Sequence, residues 1–146
     1  MTNMLVSAAS LIILGLAGYA GYLLTLLYKQ GQRQKAARAA RIEKITESIQ
    51  TIALATVQQQ CDLSEASIRL CVLLDAIPVL PQPDYRGRFP ALHALYDKVK
   101  NLPTHEARAQ QNKLERRKMD LSRSEWEAEL ESQILLEAET LAKFSV

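Results

Sequence analysis

Apolar positions along this chain follow two different rules. Residues 4–28, MLVSAASLIILGLAGYAGYLLTLLY, form one run without Asp, Glu, Lys or Arg, whereas from Lys29 onward apolar residues recur periodically among charges. A helix that crosses a membrane needs roughly 20 predominantly apolar residues. The run therefore predicts one spanning helix, with its tilt left open. Tyr28 suits an interfacial aromatic position, while Tyr19 and Tyr22 lie deeper.

Beyond the run the period is helical. Ile42, Ile45, Ile49, Ile52 and Thr56 recur at alternating steps of three and four, which places them on one helix face. The stripe covers only about two heptads, fewer than a sustained coiled coil needs. Lys35 and Arg38 also break its backward extension. A core-facing bundle helix is the expectation.

Asp62 with Glu65 has capping-box spacing, and opens a helix expected over Leu63–Ile77. That helix is nearly apolar all round, as in a deeply buried element, and Pro78 stops it. Pro78, Pro81, Pro83 and Pro90, with Gly87, then mark the one long irregular stretch. Tyr85, Arg86, Arg88 and Phe89 give it an aromatic-basic character. It reads either as a binding loop or as a connector with Tyr85 and Phe89 packed on the core. Pro90 suits the first turn of a short helix bearing Leu92, Leu95, Tyr96, Val99 and Leu102. Thr104 is a plausible next N-cap, with Glu106 near the positive helix end. The helical pattern then runs to Phe144, as one helix or as two meeting where Ser122 and Glu125 could cap. Trp126, Leu130, Ile134, Ala138 and Leu141 form its apolar stripe. The predicted fold class is all-α: an N-terminal transmembrane helix followed by a small cytosolic helical bundle with a Pro-rich loop.

Charge gives the apolar run a direction. All 34 charged side chains of the 146-residue chain fall on the last 118 residues. Lys29, Arg33, Lys35, Arg38, Arg41 and Lys44 follow the run, and no basic side chain precedes it. The positive-inside rule then predicts the N-terminus outside and the C-terminal domain in the cytoplasm. The expected organisation is an anchor over 1–28, a basic juxtamembrane segment over 29–41 and a helical domain over 42–146. A cleaved signal peptide fits less well, because Met1-Thr2-Asn3 lacks a positive side chain and Leu23–Leu27 continues past Gly18-Tyr19-Ala20. Lys29, Arg33, Lys35, Arg38 and Arg41 could also contact anionic lipid headgroups. Gly15, Gly18 and Gly21, with Ala17, could form a helix-pairing face and so a homo-oligomer.

Charge is also polarised toward the C-terminus. Residues 102–123 hold six basic and three acidic groups, and residues 124–146 hold one and six. Lys113–Lys118 could attract nucleic acid or lipid. A solvated helix face is the simpler reading, and nucleic acid is not the expected partner.

Chemistry is sparse. His105-Glu106 begins like a zinc-protease helix, but Ala109 stands where the second histidine belongs. Cys61 and Cys71 are ten apart, which is not a zinc-ligand spacing. There is no P-loop, GxGxxG or GxSxG. No catalytic residue, metal or cofactor is expected, and the chain reads as a non-enzyme. Candidate interaction residues are Tyr85, Arg86, Arg88, His105, Glu106 and Arg108, offered to a membrane or cytosolic protein partner.

The stretch Asp62–Asp75, with Tyr96-Asp97-Lys98 and Leu102–Arg108, resembles a bacterial family of proteins known as domain of unknown function 2489. The resemblance covers most of the chain, and Pro103–Arg108 is its most specific part. It implies a short helical protein tethered to the bacterial inner membrane, and it implies no activity.

Overall fold

The computed structural model describes residues 1–103, 108 and 110–146. Five helices are described: α1 (Thr2–Val57), α2 (Leu63–Asp75), α3 (Tyr85–Arg88), α4 (Pro90–Val99) and α5 (Lys113–Leu141). No strand occurs among the described residues, so the fold is all-α. The chain divides into two compact units, Met1–Ala40 and Arg41–Val146, and α1 contributes to both.

In Met1–Ala40 the helix carries a stretch long and apolar enough to cross a membrane, and none of that stretch is buried. Its leucines and isoleucines are therefore not the core of a folded unit within this chain. The serine and threonine hydroxyls in the run are satisfied locally. Ser7 donates to the Met4 carbonyl (2.9 Å), Ser10 to Val6 (2.9 Å) and Thr25 to Tyr22 (2.7 Å). Such back-bonding leaves few polar groups seeking partners, which a hydrocarbon environment demands. A Cβ added at Gly15, Gly18 or Gly21 would meet nothing within 4 Å.

In Arg41–Val146 the isoleucine stripe of α1 faces the core as its period predicts. Ile49, Ala53 and Thr56 are buried, with Ile42, Ile45 and Ile52 packed at the edge. Against them lie Leu70, Cys71 and Leu74 of α2, Leu92 and Leu95 of α4, and Ile134 and Leu141 of α5. Full burial of each large apolar side chain contributes about 1.5–3 kcal/mol. Short α4 packs against both α2 and α5, which also touch each other. The chain end closes the core: Gln50 donates to the Phe144 carbonyl (2.8 Å), and the Phe144 ring meets Tyr85 edge-on at 6.0 Å.

Two expectations about α2 need correction. α2 stops at Asp75 rather than Ile77, and Val72 is 53% exposed, so this helix is buried on one side only. Asp62 makes no side-chain cap. Its carboxylate turns to Arg123 (3.8 Å), while Glu65 pairs with Arg69 one turn on (2.5 Å). Of the two readings of the C-terminal pattern the single helix holds at Ser122 and Glu125, through which α5 runs unbroken; α5 begins after Asn112, whose backbone N–H donates to the Glu115 carboxylate (3.4 Å). The sequence Asn-x-x-Glu carried that signal. The proposed Thr104 cap lies outside the described residues.

Candidate functional site

The Pro-rich connector delivers Tyr85, Arg86 and Arg88 to different surroundings. Asp84 caps α3 by accepting the Gly87 N–H (2.9 Å). This turn drives Tyr85 and Phe89 inward, 4% and 1% exposed. Tyr85 is thus a core side chain, and burial pushes its phenol above the ordinary range. Arg86 binds Asp97 of α4 (2.5 Å), which Lys100 also contacts (2.7 Å). These two cations hold the Asp97 carboxyl far below the usual carboxylate range. Arg88 stacks over the Phe89 ring at 5.6 Å. Arg108 lies elsewhere, in a fork with Asp120 of α5 (2.7 and 2.9 Å). His105 and Glu106 lie outside the described residues. The described members of the expected set therefore do not form one patch.

A groove of about 600 Å³ gathers residues that no single sequence motif connects. Its apolar lining comes from Ile68 of α2, Val99 of α4, Leu102 and Pro103 beyond it, and Met119 of α5. Its rim is ionic, and the rim charges pair with one another. Arg69 pairs with Glu65, Arg108 with Asp120, and Arg123 with Asp62. Three cations against three anions leave no net charge to recognise a phosphate or carboxylate. The arrangement suits an apolar side chain set within a polar rim.

Beside this groove, Ser64 at the start of α2 donates to the Glu127 carboxylate of α5. Glu127 also approaches Arg123 (3.7 Å). A hydroxyl hydrogen-bonded to a carboxylate can be one half of a catalytic relay, but catalysis also needs a stabiliser for developing charge. Here Ser64 is buried, and the carboxylate sits against the positive end of α2, which is a structural placement. His93 is buried as well, with Nδ1 2.8 Å from the Phe89 carbonyl oxygen, so Nδ1–H donates there. Among the described residues no group of three or more His, Cys, Asp or Glu side chains could hold a metal. Cys61 is half-buried, and the buried Cys71 thiol is pushed up to about 12, first by burial and then by nearby Asp75.

The basic residues after the apolar run, Lys29, Arg33, Lys35, Arg38 and Arg41, are all exposed along α1. Among the basic residues at the start of α5, Lys113, Arg117 and Lys118 are exposed and Arg116 is half-buried.

No solved structure matches the chain. A protein of Haemophilus influenzae described as uncharacterized is 37% identical over 91 residues, which is 62% of this chain and 59% of that relative. The match thus spans less than two thirds of the relative's length. The family model described as Protein of unknown function (DUF2489) matches residues 13–141, and the chain belongs to that family.

Proposed function

We propose that this protein is a non-enzymatic interaction or scaffold module, held by one transmembrane helix at the cytoplasmic face of the bacterial inner membrane. The observation that carries the reading is the first 28 residues, which hold no charged side chain and are followed at once by a basic flank. Their exposure along a continuous helix supports a lipid-facing role. Loops rich in Lys and Arg stay on the cytoplasmic side, so Lys29–Arg41 sets the N-terminus outside. The payload is the helical unit, whose groove between α2, α4 and α5 would receive an apolar side chain of a protein partner.

Topology is tested by fusing reporters after Val146. A cytoplasm-active reporter should work there, and a periplasm-active one should not. The opposite pattern rejects the orientation, and recovery of the chain in the soluble fraction rejects the anchor. Docking is tested by placing a photo-crosslinking residue at Met119 and, as a control, at exposed Glu131. Adducts with one protein at Met119 alone are expected. Equal or absent labelling at both sites removes the groove from the reading.

The same basic flank would lie against anionic headgroups, each Lys or Arg contributing about 1 kcal/mol near such a surface. A fluorophore at Ala37, in nanodiscs with anionic lipid, should report a shallower position as salt rises. An unchanged signal, or the same signal in purely zwitterionic lipid, rejects lipid contact.

A further inference from the structure

The outward face of α5 carries a pattern that its own core-facing stripe does not explain. Lys118, Leu121, Glu125, Ser132, Leu136 and Glu139 are all exposed and follow one another at helical spacing. At about 3.6 residues per turn they form a single stripe. Leu121 and Leu136 are 60% and 65% exposed, and Leu114 extends the line at 75%. The stripe reads alike from both ends. About a point between Ala128 and Glu129, Leu121 is the mirror position of Leu136, Lys118 of Glu139, and Glu125 of Ser132.

We infer that this face pairs with the same face of a second copy, the two α5 helices running antiparallel about a twofold axis near Ala128. In that register leucine meets leucine and Lys118 of each chain meets Glu139 of the other. The basic start of one helix also lies along the acidic end of its mate. Twofold contacts require such a self-complementary surface. A parallel pairing would set Lys118 on Lys118, Glu125 on Glu125 and Glu139 on Glu139, and like charges in register oppose association. Lys118 and Glu139 form no ion pair within the chain among the described residues, so both are available. The inference stands on α5 alone and does not rest on the membrane reading.

The experiment uses the full chain in membranes, with Cys61→Ser removing the half-buried native thiol. L121C together with L136C should give a disulfide-linked dimer on mild oxidation, because a disulfide needs Cα atoms about 4.4–6.8 Å apart. L121C alone should not, since its two copies would stand roughly 22 Å apart at 1.5 Å rise per residue. Added to the double-cysteine chain, K118E turns two attractive contacts repulsive and should cut dimer yield roughly tenfold. K118E with E139K exchanges the charges and should restore it. All these positions are exposed, so folding is not at stake, and maleimide labelling checks that both thiols are reactive. No dimer from the reactive pair, a dimer from L121C alone, no loss with K118E, or no rescue by E139K would each overturn the antiparallel contact.

Discussion

Glu137 of α5 grips the amide of Leu92 at the start of α4, accepting its N–H at 2.8 Å while its other oxygen accepts the Ala91 N–H at 2.9 Å. Those donors have no intrahelical partner, because the first N–H groups of any helix are orphans. The local cap cannot serve them: Phe89 occupies the N-cap position and has no side-chain acceptor. A carboxylate 45 residues away supplies the cap instead, and sets its charge against the positive helix end.

Glu137→Ala should therefore destabilise the protein by about 2 kcal/mol, the range of a lost cap with charged hydrogen bonds. Glu137→Gln keeps one carbonyl acceptor and the shape, and should cost about half as much. Denaturant unfolding of the full chain in micelles, followed by Trp126 fluorescence, measures both. An alanine variant as stable as the parent would show that water satisfies those amides equally well.

The isoleucine stripe, the inward turn of Tyr85 and Phe89, and the packing of Ile134, Ala138 and Leu141 follow from period and from apolar surface, both of which are local properties. Asp62 and Glu65 had the right spacing for a cap, yet Asp62 turns to Arg123 of α5 and Glu65 to Arg69 one turn along its own helix. The six acidic groups over residues 124–146 showed only as a charge excess. Two of them, Glu127 and Glu137, bind the starts of α2 and α4. Nothing within either helix announces this, because the acceptor and donor lie on different elements. The groove was illegible for the same reason: Ile68, Val99 and Met119 meet only once three helices pack.

Asp97 makes the connector sensitive to acid. Arg86 and Lys100 hold its carboxyl below the ordinary range, so the folded pKa lies under the unfolded value of about 3.9. The contribution is present above the unfolded pKa and is lost as pH falls through the folded one. Asp97→Asn should lower the unfolding midpoint at neutral pH. The gap between variant and parent should stay constant down to about pH 5 and close progressively below about pH 4. A gap that persists unchanged to pH 2 would assign the effect to packing rather than to charge.

The two cysteines should differ in reactivity. Thiolate is the nucleophile, and with a pKa of about 12 Cys71 exposes only about one thiolate in ten thousand at pH 8. Burial adds a steric barrier. Iodoacetamide at pH 8 should modify Cys61 within minutes and leave Cys71 intact until denaturant is added, as read by peptide mass spectrometry. Equal labelling of both in the folded chain would mean that α2 opens readily.

Gly87 is required for space rather than for an unusual backbone angle, since no glycine among the described residues has positive φ. A Cβ there would run into the Asp84 carboxylate, the group that caps α3 through the Gly87 N–H. Gly87→Ala should displace that carboxylate and cost about 1 kcal/mol, the usual value of a lost N-cap. Asp84→Ala removes the same cap from the other side and should cost a similar amount. The two effects share one interaction, so the double variant should be little worse than either single change. Because this turn is what directs Tyr85 and Phe89 inward, hydrogen exchange at Phe89 should quicken in both single variants. Full additivity in the double variant would mean that alanine at 87 acts through some other clash, and that the cap contributes independently.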